Sequence, residues 1–554
     1  MRLAASAGPT VVVQVCRTRG LAGPSCGGRA QPTTVGVCGW LWMWLCGGNG
    51  KDEVRAMELL APAGGKEQLE YAIRFGADAV YLACERFGMR KRASNFKVED
   101  LPWVSAYAHE RGAAVHVACN TVMHEGDLKE LPAYFEAVQK AGVDALIISD
   151  MGAFALAKRY APEVDLHVST QASVSNSAAA LAWHELGARR VVCAREMSLS
   201  DIAAMHADLP DSLELEAFAH GSMCMSYSGR CIISDFLNGR PANGGHCTQP
   251  CRWEWKLEEP SRPGETFTLE EDERATYLFS SRDLNMLEHL GELEAAGVDS
   301  IKLEGRGRGA FYAATVTGAY RRVLDGEDPA AVASELETVS HHPYGTGFFF
   351  GPAHQAPYLR QSQSEWMWVA EVLGCEQVGE AAVLGDDESG SGAAGAAVCA
   401  DRGETGAAAR PACEGAPACG APEAGAAHAY NGAPEASEAP ACEGAPEAGA
   451  VPACEGAPVY RVTFRARNRF DCASELEVLF PGRASEPLHV SDLRWLPAGA
   501  DGAAGEGLDG KVVAAVPVDA VTRQMETYLM TCDRPLRPHD IVRARRKPSE
   551  MPPE

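Results

Sequence analysis

The 554-residue sequence has no apolar run long enough to cross a bilayer, because GWLWMWLCGG over 39–48 has only about half the length of a membrane helix. Basic residues are also in deficit. Lys and Arg number 50 against 75 Asp and Glu, a formal net charge of −25. This balance argues against a broad cationic surface, although a local basic patch can still bind phosphates. We expect no membrane partner.

Signatures of hydrolysis are equally scarce. The zinc-hydrolase motif H-E-x-x-H does not occur. Hydrolysis needs an activated nucleophile beside an oriented base, or a metal-bound water. A thiol of Cys224 or Cys231 beside His220 could form such a pair, but that use leaves the neighbouring cysteines unexplained.

Cysteine is abundant, yet its distribution does not suit a secreted disulfide framework. The nineteen cysteines are an odd number, and five of them lie in low-complexity sequence between 386 and 458. That stretch has no core that a disulfide could stabilise, so a reducing cytoplasm is the expected compartment.

Four cysteines within one short segment are the most informative feature. Cys224, Cys231, Cys247 and Cys251 follow the pattern C-x6-C-x15-C-x3-C, with glycines and a proline in between. Four thiolates without clustered carboxylates suit zinc or an iron–sulfur centre. The gaps differ from paired C-x2-C knuckles and favour a [4Fe–4S] cluster. Two structural disulfides, or unrelated core cysteines, are the alternative.

Short apolar runs alternate with amphipathic helical stretches from Glu58 to about Arg308, which predicts eight strand–helix repeats. We therefore expect an α/β fold, a (β/α)8 TIM-like barrel with a small C-terminal β-barrel domain. A doubly wound sheet would show the same alternation.

The same pattern divides the chain into five regions. Composition excludes a packed core from the Ala/Gly/Pro/Glu-rich stretch, which repeats ACEGAP three times. The expected regions are a disordered or over-extended leader over 1–56, a catalytic barrel over 57–330 with a cysteine insertion over 220–253, a connecting segment over 331–364, a β domain over 365–385 plus 459–547, and a disordered linker over 386–458.

Polar residues follow the predicted barrel strands, where the active sites of such barrels gather. Capping roles are the alternative for each. The set comprises Asn120, Asp150, Ser169, Gln171, Arg195, His220, Glu304 and Arg306. Lys302 and Glu304 could form an acid/base pair or an internal salt bridge. The basic end of the chain, Arg543 to Lys547, is either an RNA-contacting strip or a solvated edge strand.

Several motifs together resemble the U32 family, historically called U32 peptidases or collagenase-like proteases. They are EAFAHGSMCMSYSGRC, GGHCTQPCRW, HVSTQASVSN, SIKLEGR and GTGFFFG. The resemblance implies a (β/α)8 barrel with a [4Fe–4S] cluster on Cys224, Cys231, Cys247 and Cys251. Some relatives carry a cysteine where this chain has Asn285, so Cys251 is the expected fourth ligand.

The resemblance also implies oxygen-independent RNA hydroxylation, most like the branch that hydroxylates tRNA wobble uridine with prephenate as hydroxyl donor. A U32 peptidase or a metal-stabilised maturation protein is the alternative. The expected partners are tRNA and prephenate, and the electron source stays open. The expected catalytic residues are Glu304, Lys302, His220 and Arg306. The expected substrate-binding residues are Asn120, Ser169, Gln171, Arg195, Tyr227, Arg230 and Arg252.

Overall fold

The computed structural model describes residues 57–90, 93–223, 226, 228–252, 257–258, 266–267, 282–351, 364–380, 458–497 and 515–546. The expected leader over 1–56 lies outside these residues, and so does the expected linker over 386–458 except for its last residue, Pro458.

The described chain forms strands and helices in the following order. The strands are β1 Glu58–Pro62, β2 Ala79–Leu82, β3 Ala114–Cys119, β4 Ala145–Ile148, β5 Asp165–Val168, β6 Arg190–Val192, β7 Glu214–Ser222, β8 Leu257–Glu258, β9 Thr266–Phe267, β10 Asp283–Asn285, β11 Ser300–Leu303, β12 Tyr344–Gly345, β13 Trp366–Glu380, β14 Pro458–Ala466, β15 Phe470–Asp471, β16 Leu476–Leu479, β17 Glu486–Leu488, β18 Val490–Leu496, β19 Val516–Pro517, β20 Ala520–Val521, β21 Thr527–Cys532 and β22 Ile541–Arg545. The helices are α1 Lys66–Arg74, α2 Leu101–His109, α3 Glu125–Leu128, α4 Leu131–Lys140, α5 Met151–Tyr160, α6 Ser177–Leu186, α7 Leu199–Ala207, α8 Ile233–Asn238, α9 Leu290–Ala295, α10 Ala310–Leu324 and α11 Pro329–Leu336.

Eight parallel strands close into a barrel, which confirms the predicted (β/α)8 fold. The strands β1 to β7 pair in sequence, and β11 closes the barrel by pairing with both β7 and β1. Residue Ile301 of β11 lies opposite Ala217 on one side and Leu59 on the other. The strands are almost wholly buried, as expected for parallel strands covered by helices.

One strand departs from the barrel pattern. Strand β10 pairs antiparallel with the end of β7, placing Asn285 opposite His220, and its other edge pairs with β12. The long end of β7 is therefore paired, beyond the barrel wall, with two short strands that continue the same sheet. This arrangement fixes the direction in which the cysteine segment leaves β7.

The expected C-terminal β domain is an antiparallel eight-stranded sheet, in the order β17-β16-β22-β13-β14-β21-β18-β19. The long strands β13 and β14 pair along their length, and Glu380 lies opposite Pro458. Residues 381–457 of the chain therefore connect the end of β13 to the start of β14.

The β domain packs on the barrel through a small apolar cluster and buried ion pairs. Tyr71 of α1 and Phe75, which follows this helix, pack with Trp368 and Ile541 of the β domain. Arg543 is only 3% exposed, and it donates to Glu335 of α11 at 2.8 Å and to Glu477 at 2.6 Å.

This packing corrects the prediction of an RNA-contacting strip for Arg543, whereas Lys547, the other end of that strip, lies outside the described residues. The strand β22 lies inside the sheet between β16 and β13, so it is not an edge strand either. Arg543 is buried against carboxylates of both domains, and Arg545 pairs with Glu365 at 2.7 Å. Both arginines of β22 are therefore paired with carboxylates.

The described helices are between 4 and 15 residues long. None of them combines the length and apolar character that a bilayer span requires.

Candidate active site

The carboxylate of Glu304, just beyond β11, is the centre of a charged cluster at the mouth of the barrel. Its Oε1 accepts two hydrogen bonds from Arg90, from Nε at 3.2 Å and from Nη2 at 3.1 Å. Its Oε2 lies 3.6 Å from Nη2 of Arg195 and accepts the Tyr81 hydroxyl at 3.4 Å. We call Glu304, Arg90, Arg195, Tyr81 and Arg306 the mouth cluster.

Positive charge exceeds negative charge in the mouth cluster. Burial raises the pKa of Glu304, but the charges of Arg90, Arg195 and Arg306 outweigh it, and the pKa lies below its ordinary value. The carboxylate is therefore ionised at neutral pH. Three guanidinium groups against one carboxylate leave a net charge of +2, and the side chains of Arg195 and Arg306 are almost fully buried. Such a site favours an anion with two negative charges.

The loop that carries Arg90 has a strained backbone. Arg90 has φ of +69°, and Phe87 and Asn95 have φ of +65° and +48°. Left-handed conformations are uncommon for residues other than glycine and cluster at functional sites. The Asn95 side-chain amide caps this loop by donating to the carbonyl oxygens of Arg90 and Ala93.

Two of the predicted site residues hold the peptide next to Arg90. The Met89 N–H donates to Oδ1 of Asn120 at 3.2 Å, and the Met89 carbonyl accepts from Nη2 of Arg306. Asn120 and Arg306 thus fix both polar groups of one residue. Both side chains therefore help to position Arg90.

The predicted residues after β5 extend this support. Asn120 Nδ2 donates to the Ser169 hydroxyl at 3.2 Å, and that hydroxyl also accepts from the backbone N–H of Gln171. Ser169 is buried and caps the 3-10 turn Thr170–Ala172. Asp150 likewise acts as a cap, since its carboxylate accepts from Ala153 N at the start of α5.

Lys302 and Glu304 have different partners, so the expected acid/base pair is not what the structure forms. Lys302 Nζ lies 2.8 Å from Glu216 Oε1 inside the barrel. Glu216 Oε2 accepts from Arg190 at 3.2 Å, and Arg190 also bonds Glu58 and Glu214. Burial lowers the pKa of Lys302, although Glu216 opposes this. Lys302 belongs to an internal salt-bridge network, the alternative weighed from the sequence.

His220 packs among tyrosines on the outer side of the barrel wall. Its ring lies 5.5 Å from Tyr320 and 5.4 Å from Tyr344, centroid to centroid, and Nδ1 is 3.3 Å from the Tyr320 hydroxyl. Burial lowers its pKa to about 3, so the ring is neutral. These are the contacts of a packing residue, and the expected catalytic role of His220 stays a prediction.

A bulge in β7 explains this orientation. Lys302 of β11 lies opposite Phe218, but the next residue, Leu303, lies opposite His220, so Ala219 is skipped in the pairing. A regular strand would place 216, 218 and 220 on one face. The bulge reverses the alternation after Phe218 and turns His220 toward α10.

The cysteine segment is fastened to the same mouth. The Ser228 N–H donates to Glu196 Oε1 at 2.6 Å, and the Ser228 carbonyl accepts from the Ser173 hydroxyl. Gly229 has φ of +74°, and a Cβ there would lie 2.1 Å from the Gln171 carbonyl oxygen. Only glycine permits this approach, so the segment lies directly on the turn after β5.

Three of the four predicted ligand cysteines lie within the described residues. Cys231, Cys247 and Cys251 form no disulfide and are partly exposed, and Cys247 Sγ accepts the backbone N–H of Gln249 at 3.3 Å. Accessible thiols of this kind have the chemistry of cluster ligands. Cys224, Tyr227 and the side chain of Arg252 lie outside the described residues. Arg230 is exposed on this segment.

Two members of the mouth cluster escaped prediction. Arg90 lies eight residues beyond β2, in a loop where the sequence offers only a short basic run, MRKR. Tyr81 stands inside the apolar run DAVYLA and reads as a core residue. Its hydroxyl donates to the Leu303 carbonyl at 3.0 Å. The predicted site residues were polar residues that directly follow a strand, and neither Arg90 nor Tyr81 does so.

Comparison with known proteins places these features in a family. The chain is 35% identical over 343 residues to tRNA hydroxylation protein P of Escherichia coli, covering 54% of this chain and 75% of that protein. It is 35% identical to the 23S rRNA 5-hydroxycytidine C2501 synthase of the same organism, over 55% of this chain and 44% of that one. It is also 32% identical to a collagenase of Porphyromonas gingivalis, over 54% and 74% of the two chains.

The family model for Peptidase family U32 matches residues 64–357, which include the whole mouth cluster and the cysteine segment. This match covers more than half of the chain and agrees with the motifs and the barrel. The chain therefore belongs to peptidase family U32.

Proposed function

We propose that this protein hydroxylates RNA, and specifically C5 of a tRNA wobble uridine, with prephenate as the hydroxyl donor. The observation that carries the proposal is the mouth cluster with its net charge of +2. Prephenate has two carboxylates, and guanidinium groups bind carboxylates in bidentate geometry. The names of the relatives from Escherichia coli support RNA as the substrate.

The net reaction exchanges a hydroxyl for a hydrogen. The donor loses the hydroxyl from carbon and gains the hydrogen that leaves C5 of the base. The base is oxidised by two electrons and the donor is reduced by two. A [4Fe–4S] cluster on Cys224, Cys231, Cys247 and Cys251, when bound, would supply redox or Lewis-acid chemistry at the mouth.

In this proposal the arginines of the mouth cluster bind the carboxylates of prephenate. Arg90 and Arg195 share Glu304 in the free protein, and an entering dicarboxylate offers them stronger partners. Arg195 is fixed by donating to the Ser222 carbonyl at 2.8 Å and lies 3.8 Å over the Phe218 ring. Arg306 and Asn120 keep Arg90 in place. Glu304 then sets the net charge, so that a dianion balances the site.

Proteolysis is the second candidate, since the Porphyromonas relative is named a collagenase. The Ser212 hydroxyl lies 3.1 Å from Nε2 of His184. Both residues precede barrel strands, so they lie at the end opposite the mouth, and Nδ1 of His184 faces the Ala188 carbonyl rather than a carboxylate. This pair lacks the orienting acid of a hydrolytic triad.

A direct assay separates the two candidates. Anaerobically purified, iron-loaded protein is incubated with unmodified tRNA, with and without prephenate, and the nucleosides are analysed by mass spectrometry. The proposal predicts one added oxygen on uridine only when prephenate is present. Peptide cleavage with unmodified tRNA would overturn it.

A further inference from the structure

We infer that the outer face of α8, formed by Ile232, Phe236 and Leu237, is a docking surface for unpaired bases of an RNA loop. We call it the α8 face. The inference rests on the proposed function, because it names the surface by which that site would receive its RNA.

The α8 face is unusually apolar for a position in water. Phe236 is 85% exposed and Ile232 is 68% exposed. The two residues are four apart, so they lie on the same side of the helix. Scattered apolar residues on a surface need no explanation, but adjacent ones with an almost fully exposed phenyl ring indicate a binding site.

The helix beneath this face is held firmly. Ser234 is fully buried, and its hydroxyl lies 3.1 Å from the Thr248 hydroxyl and accepts the Thr248 N–H at 3.0 Å. The Asn238 amide donates to the same Thr248 hydroxyl at 3.0 Å. The buried side of α8 is thus tied to the chain between Cys247 and Cys251. The opposite side of α8 therefore faces outward, and this side carries the exposed Phe236 ring.

The α8 face also lies at the mouth of the barrel. The helix starts two residues after Cys231, and the Val122 N–H beyond β3 donates to the Asn243 carbonyl at 3.0 Å, just after the helix. Val122 and Met151, which follow β3 and β4, are themselves exposed apolar residues. A ligand on α8 would therefore lie beside the entrance to the mouth cluster.

The charges around the face select the ligand. Arg230 before the helix is exposed, and Arg240 after it is half-exposed. An exposed phenyl ring with one arginine before its helix and one after it suits a stacked base with flanking phosphates, because every base has a π face and every linkage carries a negative charge. A neutral lipid surface or an uncharged apolar protein helix gains nothing comparable from the two arginines.

Binding of fluorescently labelled tRNA to the full chain tests this inference without relying on catalysis. Phe236→Ala should weaken the RNA affinity by roughly five- to a hundredfold, the usual effect of losing one stacked base. Phe236→Trp should retain the affinity. Arg230→Gln should reduce the salt dependence of binding by about one ion. Met525→Ala, which removes a 60% exposed side chain of the β domain, is the matched control and should change nothing.

The outcomes separate this inference from the proposed reaction. Phe236-dependent binding of RNA that stays unmodified would support the α8 face and contradict the hydroxylation. Normal affinity of Phe236→Ala in a protein that hydroxylates tRNA would overturn the α8 face alone. Loss of affinity in Met525→Ala as well would also overturn it, since the effect would not be local.

Discussion

Arg90 donates two hydrogen bonds to a single oxygen of Glu304, at 3.2 and 3.1 Å, from a backbone with φ of +69°. A strained loop is therefore used to bring a third arginine to the barrel mouth. The strain persists because Asn120 and Arg306 bind the neighbouring peptide groups. We interpret this loop as the part of the fold that makes the mouth selective for a dianion.

Removing Arg90 should weaken the binding of prephenate more than the chemistry. Arg90→Ala should raise the KM for prephenate by about thirtyfold, equivalent to about 2 kcal/mol for a charge-assisted contact. Arg90→Lys should recover only part of it, because an ammonium cannot make the bidentate contact. Initial rates over a range of prephenate concentrations provide the measurement. An unchanged KM for prephenate in both variants would show that Arg90 does not bind prephenate.

Asn120 should act through the Arg90 loop. Asn120→Ala leaves the Met89 N–H without its side-chain acceptor, so the KM for prephenate should rise with no change of charge at the mouth. The double variant with Arg90→Ala should show less than the sum of the two effects, since both act on one contact. Fully additive effects would mean that Asn120 has an independent role.

The interior network should contribute to stability and not to the reaction directly. Lys302→Met leaves the Glu216 carboxylate buried without one of its cations, which should cost about 3–5 kcal/mol of folding free energy. Arg483→Met, which breaks an exposed pair with Glu486, should cost less than about 1 kcal/mol. Thermal unfolding compares the two variants. Similar melting temperatures would contradict a buried, tightly paired Lys302.

His220 should make the protein less stable in acid. The neutral ring has a folded pKa of about 3, below the ordinary value of 6.5, so the unfolded state binds more protons between these limits. The corresponding stability is complete above pH 6.5 and is lost as the pH falls toward 3. In His220→Gln the pH-dependent contribution of this ring to folding stability should vanish. The difference in stability between the variant and the natural protein should therefore shrink as the pH falls. A difference independent of pH would contradict a buried neutral ring.

The cysteines offer a test of the proposed cluster that needs no activity. Replacing Cys231, Cys247 or Cys251 by serine should lower the iron content and the visible absorption of anaerobically purified protein. Cys472→Ser, which changes an exposed thiol of the β domain, should leave both unchanged. Stoichiometric zinc without iron in the natural protein would exclude the cluster.

The barrel could be predicted because short runs rich in apolar residues alternate regularly with helical stretches along this part of the sequence. The candidate site could be predicted only in part, for two physical reasons. Arg90 reaches Glu304 through a left-handed loop, and such a path leaves no periodic signal in the sequence. The orientation of His220 depends on a bulge in β7, and the contact of Lys302 depends on its partner Glu216 on the same strand. Both follow from the register between strands that are distant in sequence, which the sequence does not reveal.

The fate of Arg543 shows the same limit. A basic run near the end of a chain predicts a solvated strip. The carboxylate partners of Arg543, however, are Glu335 of a barrel helix and Glu477 of a neighbouring strand. Only the docking of the two domains brings these charges together. Sequence composition counts the arginine but cannot assign its partner.

The most direct test follows the oxygen atom. Prephenate labelled with heavy oxygen at its ring hydroxyl is given to the iron-loaded protein with unmodified tRNA under anaerobic conditions, and the nucleosides are analysed by mass spectrometry. The account predicts that the heavy oxygen appears on C5 of the wobble uridine in the natural protein and is strongly reduced in Arg90→Ala at low prephenate. Unlabelled product, or no product with an intact cluster, would contradict it.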